Sequence, residues 1–153
     1  MTELHPGLAL RSAHVADIST PTFYRIAALR QLVFVVEQDC VYLDLDGRDL
    51  EPGTVQVWAE DSNGDIAATV RILAEDSAEP GLRSIGRVVT DPEWRGRGVA
   101  AALLEEAIAQ CAGHPISLHA QSHLVAWYSR FGFETNGPEY LEDGIPHTPM
   151  RLG

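Results

Sequence analysis

The chain has 153 residues, 45% of them hydrophobic, enough for one well-buried core and too short for two comfortable domains. Its 22 acidic and 11 basic residues give a formal net charge of -11, and a surface of that sign repels phosphate backbones and anionic headgroups, which argues against nucleic-acid and membrane partners and suits either an amine ligand or plain solubility. No apolar run approaches the roughly 18 residues of a membrane span, the start "MTELHPGLALRSAH" lacks a signal-peptide pattern, and Cys40 and Cys111 show no C-x-x-C spacing, so the reading is a cytoplasmic protein with reduced, structural thiols.

In chain order, "LALRSAH" reads as a first strand. Thr20 then reads as an N-cap with Pro21 in the first helical turn, and Phe23, Ile26, Ala27 and Arg30 recur at i, i+3, i+4, i+7 on one inward helix face. "VFVVEQ" behind that helix is β-branched and apolar, and its type stays open between a buried turn and a strand. "DLDGRDLEPG" is a turn-rich loop, after which "TVQVWAE", the turn "DSNG" and "DIAATVRIL" make an antiparallel hairpin. "GLRSIGRVVT" is a further strand, where Gly86 removes a side chain at a point suited to a bulge or a close ligand.

"GVAAALLEEAIAQC", from Gly98 to Cys111, is built of strong helix formers with Val99, Leu103, Ala107 and Ile108 on its apolar side, and Gly113 and Pro115 stop it. "ISLHA" reads as a strand and "SHLVAWYSRF" as a helix capped after its end by Gly132. "FETNGPEYLEDGIPHTPMRL" reads as a closing strand, a loop and a last strand. The order β-α-β-β-β-α-β-α-β-β, with no repeat or linker, predicts one α/β domain in which helices flank a mixed sheet.

The stretch "WRGRGVAA" fits two phosphate loops at once. Gly96-x-Gly98-x-x-Ala101 matches a dinucleotide fingerprint, while Arg95-x-x-Gly98-x-Ala100 matches the diphosphate loop of acyl-CoA acyltransferases. The first needs its glycine directly at the strand end, an acidic residue about 20 positions on and a second half of the fold. Here "DPEWR" intervenes, the next strand ends at Gln121 without an acid, and too little chain remains. The second needs main-chain N–H groups turned toward an anion at a helix start, with small residues where Cβ atoms would obstruct. Arg95 and Arg97 would each oppose the helix dipole by about 0.3–1 kcal/mol unless an anion intervenes, which again points to a bound phosphate.

"VVTDPEWRGRGVAAALLEEAI" followed by "AWYSRFGF" resembles the two signature segments of the GNAT superfamily of acyl-CoA N-acyltransferases. "RQLVFVVEQDCVYLDLDGRD", "SIGRVVT", "LHAQSHLVAWYSRFGF" and "EDGIPHTPM" together resemble its ElaA-type subfamily, across Arg30 to Met150. The resemblance implies a GNAT fold with a mixed central sheet, acetyl-CoA as acyl donor, and an amine acceptor, small molecule or peptide, attacked directly in a ternary complex. It places the pantetheine arm on the backbone of Val88, Val89 and Thr90, whose N–H groups would also polarise the thioester carbonyl. It places the diphosphate on Arg95 and Arg97 and on the main chain of Gly96, Gly98, Val99, Ala100 and Ala101. Tyr128 matches the tyrosine that protonates the departing thiolate, and Gln121 stands where many members carry a cofactor-contacting asparagine.

Glu37, in "FVVEQD" after the first helix, is the expected general base, with His119 and His147 as alternatives. No metal is expected, because His119 and His123 straddle a strand-to-helix junction, and no Cys–His pairing suggests an acyl-cysteine route. Arg30, Asp46 and Asp49 are similar also to a pattern of acyl-homoserine-lactone synthases, a second acceptor class, although a buried Arg30 paired with Asp46 or Asp49 would equally pin a loop. A non-catalytic acyl-CoA sensor keeping the fold alone is the third reading. The acceptor's identity is open, as is the choice between monomer and homodimer.

Overall fold

The computed structural model describes residues 2–153. β1 (Ala9–Ala13), β2 (Val55–Glu60), β3 (Ile66–Ala74) and β4 (Arg83–Thr90) form an antiparallel meander. β5 (Ile116–Gln121) joins β4 in parallel, and β8 (Ile145–Leu152) joins β5 antiparallel. The mixed sheet runs β1-β2-β3-β4-β5-β8-β6, where β6 is Glu134–Thr135, and β7 (Tyr140–Glu142) also lies on β8. Among the described residues, no helix is long and apolar enough to cross a membrane.

α1 (Thr20–Arg30) and α2 (Val99–Gln110) cover opposite faces of this sheet, as the strand alternation requires. Val57 and Ala59 of β2 pack with Leu103, Leu104 and Ala107 of α2. Their neighbour Trp58 packs with Ile26 and Leu29 of α1. Each fully buried leucine of α2 contributes about 1.5–3 kcal/mol. β3 is buried on both faces up to its last residue for the same reason. α2 begins after Gly98; of its expected inward residues Val99, Leu103 and Ala107 are buried, while Ile108 is partly buried at the edge of the core.

Four expectations are corrected. The cap of α1 is Ser19, whose Oγ accepts the Thr22 N–H at 3.3 Å, so Thr20 opens the helix and Pro21 follows it. "VFVVEQ" is neither turn nor strand, because Gln31–Glu37 prolongs α1 as a π-helical turn. Burial of Val33 and packing of Phe34 against the α1 core override the β preference of the valines. The expected helix "SHLVAWYSRF" splits into a 3-10 turn at Ser122–Leu124 and a short α3 (Val125–Ser129). The C-terminal stretch carries two short strands on β8, namely β6 (Glu134–Thr135) and β7 (Tyr140–Glu142), where one strand and a loop were expected.

β4 contains the bulge that Gly86 suggested, displaced by one residue. Arg71 pairs with Gly86 and Thr69 with Val89, so two steps on β3 face three on β4. Arg87 takes the strained position with φ of 51°. Gly86 has no positive φ, and a Cβ there would meet nothing within 4 Å.

Candidate active site

β4 and β5 are joined by only two residue pairs, Arg83 with Ile116 and Ser84 with Ser117. Beyond them the strands part, although β4 still pairs with β3 at Val89 and Thr90, and β5 still pairs with β8 through Gln121. The facing edges of the two strands therefore carry main-chain N–H and C=O groups without a ladder partner between them. The bulge at Arg87 falls in this stretch, where it adds bend and twist to the diverging strand. A cleft of about 900 Å³ opens there, walled by β4, β5, α3, the π-helical turn and the residues that lead into α2. Its size suits a ligand of cofactor dimensions.

The loop at one end of the cleft leads from β4 into α2. Asp91 caps a 3-10 turn at Pro92–Trp94, and the chain then passes through Gly96 with φ of 78° and Gly98 with φ of 74°. Two left-handed residues thus flank Arg97, and a side chain at either position would cost about 1–2 kcal/mol. α2 has no side-chain cap and no acidic residue in its first turn, despite the acidity of the whole chain. The N–H groups of Val99, Ala100 and Ala101 thus have neither an intrahelical nor a capping acceptor. Arg97 lies over the Trp94 ring at 4.9 Å, and Arg95 Nη2 bonds Glu37 Oε1 at 2.6 Å.

Tyr128, on α3, lines the cleft with 7% of its surface exposed. Its ring packs edge-on against Trp127 and Phe133, and burial pushes its phenol up to about 12. Gln121, at the end of β5, donates to Gln38 Oε1 at 3.2 Å. Glu37 and Gln38, at the end of the π-helical turn, thus reach opposite lips of the cleft. Val88, Val89 and Thr90 line it from β4.

The histidines His119, His123 and His147 also line the cleft. His119 Nδ1 shares a hydrogen bond with the Tyr140 hydroxyl at 2.7 Å. His147 Nδ1 lies 2.8 Å from the Ile145 carbonyl, which can only accept, so the neutral ring carries its lone pair on Nε2, 3.8 Å from Glu142. Among the described residues, no three His, Cys, Asp or Glu side chains are grouped to hold a metal ion. Cys111 belongs to the core, while Cys40 lines the cleft with its thiol raised by burial and by Asp143, Asp39 and Glu142 nearby.

Beneath the cleft lies an ionic network that the sequence only hinted at. Arg30 is fully buried, and it pairs with Asp49 at 2.7 Å and with Asp44 at 2.9 Å. Of the two expected carboxylates Asp49 is the one that pairs with Arg30; Asp44 is a second partner that was not expected, and Asp46 takes Nη1 and Nη2 of Arg71, at 2.9 and 3.0 Å. In "VYLDLDG" alternate residues turn inward, and Asp44 reaches deeper than Asp46. Arg87 Nε sits 2.8 Å from Asp44 Oδ1 but off the hydrogen-bonding direction, so the contact is ionic; Nη2 donates to the Asp44 carbonyl at 3.1 Å.

Burial alone would raise Asp46, but hydrogen bonds from Arg71 and the Arg48 N–H outweigh it and lower the carboxyl to about 2. Burial likewise opposes ionisation of Asp49, and the Arg30 bonds win, leaving its pKa below the ordinary carboxylate value. The network pins the 39–50 segment, which carries Tyr42 and Arg48, as one wall of the cleft. The clue in the sequence was Arg71, a lone charge inside the apolar run "TVRIL", which implies a buried carboxylate partner.

The comparisons with known proteins agree with this geometry. The family model described as an acetyltransferase (GNAT) domain matches residues 34–153. A UPF0039 protein of Mycobacterium tuberculosis is 40% identical over 142 residues, covering 93% of this chain and 91% of that protein. The protein ElaA of Escherichia coli is 38% identical over 144 residues, covering 90% and 91%. The crystal structure of an acyl-CoA N-acyltransferase from Pseudomonas aeruginosa superposes with a TM-score of 0.89 at 38% identity, covering 95% of this chain and 99% of that one.

Proposed function

The chain belongs to the GNAT acetyltransferase family, and from that premise we propose that it transfers an acetyl group from acetyl-CoA to an amine by direct attack within a ternary complex. The observation that carries this reading is the parting of β4 from β5 beside a loop of two left-handed glycines at an uncapped helix start. The fit is good on three counts: unsatisfied amides for a diphosphate, a free strand edge for an amide-bearing arm, and a cleft long enough to join them.

When bound, acetyl-CoA supplies the activated acyl group. The N–H groups between Arg95 and Ala101 would hold its diphosphate, and Val88, Val89 and Thr90 would hold the pantetheine arm as a neighbouring strand would. Donors on the same edge would meet the developing oxyanion, each worth about 2.7–4 kcal/mol. Tyr128 would donate its phenolic proton to the leaving sulfur. In water a phenol near 10 faces a thiol near 8.5, a gap worth about 2 kcal/mol against transfer. The dry surroundings that raise Tyr128 would raise the thiolate as well, so the transfer is feasible only inside this cleft.

Glu37 would take the proton from the attacking ammonium. The chain's net charge of -11 and the carboxylates of Glu37, Glu142 and Asp143 on the cleft wall favour a cationic amine, small molecule or peptide. A panel of amines with acetyl-CoA, followed by free-thiol release, tests the proposal. Thiol release with at least one amine is the expected result. Binding of coenzyme A without thiol release for any amine would leave a sensor and refute transfer.

A further inference from the structure

The end of the π-helical turn crosses the cleft twice through neighbouring side chains. Glu37 reaches Arg95 at the start of the diphosphate loop, and Gln38 reaches Gln121 at the end of β5. The backbone at this point is fixed, since the Gln38 N–H bonds the Val33 carbonyl at 3.0 Å.

The Glu37–Arg95 pair is built to exchange. Its partners are 42% and 45% exposed, whereas Arg30 and Asp44 in the pinning network are 0% and 5% exposed. An exposed pair of this kind is held by at most a factor of about five, and the next anion to arrive can displace it. The amides that follow Arg95 are the ones assigned above to a diphosphate. A diphosphate seated there brings several negative charges next to the same guanidinium, and it repels the Glu37 carboxylate at short range.

We infer that Glu37 and the donor's diphosphate compete for Arg95, so that seating the donor draws Arg95 away and releases the Glu37 carboxylate into the acceptor half of the cleft. This rests on the reading of the loop as a diphosphate site and deepens it. Arg95 is then a positioning residue with two successive partners, and seating the acyl donor makes Glu37 more available to an ammonium. The neutral Gln38–Gln121 bond keeps the lip together while the charged pair exchanges.

The test uses coenzyme A alone, titrated calorimetrically at low ionic strength. Removing the competitor with Glu37→Gln should tighten coenzyme A binding by about three- to fivefold, the whole worth of the pair. In an Arg95→Ala background the same substitution should tighten binding by less than about twofold, because there is no cation left to compete for. Unchanged or weaker binding by Glu37→Gln overturns the inference, and so does equal tightening in both backgrounds, which would reflect net charge alone. Failure of the wild-type protein to bind coenzyme A would instead remove the site assignment itself.

Discussion

Replacing Tyr128 with phenylalanine separates chemistry from packing. The ring's edge-on contacts with Trp127 and Phe133 are kept, and no hydrogen bond of the hydroxyl is lost among the described residues, since burial is the sole cause of its raised pKa. Stability near neutral pH should therefore change by less than about 1 kcal/mol. Turnover should fall. General acids contribute about 10²–10⁴-fold, and a thiolate leaves readily, so the low end applies: a loss of about 100-fold, or about 2.7 kcal/mol, in kcat. Free-thiol release measures that loss, and calorimetry with coenzyme A should show an affinity within about twofold of wild type.

The same variant has a signature in alkali. The folded phenol at about 12 lies above its unfolded value of 10, so its contribution is complete below pH 10 and is lost as pH rises toward 12. The unfolded state ionises first, which amounts to about 3 kcal/mol over the window. Urea denaturation of wild type should therefore weaken more steeply than that of Tyr128→Phe over this window. Full activity of Tyr128→Phe would remove the residue from the mechanism, and identical alkaline profiles would contradict its burial.

Arg30→Met should cost about 3–5 kcal/mol in urea denaturation, because Asp44 and Asp49 lose their buried partner; a cost under about 1 kcal/mol would mean that the network pins nothing. Asp46 is depressed to about 2 from 3.8, so its stabilisation is present above pH 4 and is lost as pH falls through about 2; Asp46→Asn should flatten that acid limb, worth up to about 2 kcal/mol. Gly98→Val forces a β-branched side chain into a φ of 74°, with a Cβ 3.3 Å from Thr2 Cγ2. It should lower stability by about 1–2 kcal/mol and weaken coenzyme A at least about tenfold, and unaltered affinity in calorimetry would contradict the loop's role.

The elements that could be read from the sequence were those whose signal is local. α2 announced itself by its period and its bounding glycines, and the β2–β3 hairpin by the turn at Asp61–Gly64, where Asp61 Oδ1 accepts the N–H groups of Asn63 and Asp65. The loop from Arg95 to Ala101 was legible because glycine spacing reports backbone conformation directly. The π-helical turn was not, since its valines prefer strands and the packing of Val33 and Phe34 holds them helical.

The parting of β4 from β5 is a property of pairing between distant segments, and its bulge rests on Arg87, a residue type that gives no hint of positive φ. Asp44 and Tyr42 looked like members of an ordinary loop, because their partners Arg30 and Arg87 are brought to them by the sheet. The pairing of Glu37 with Arg95 was equally invisible, as 58 residues separate the two.

A crystal structure with coenzyme A tests the central claim most directly. The account predicts diphosphate oxygens within about 3 Å of main-chain nitrogens between Gly96 and Ala101, with the arm running along Val88–Thr90 and the sulfur directed at Tyr128. A nucleotide bound elsewhere on the molecule, with that turn bare, would contradict it.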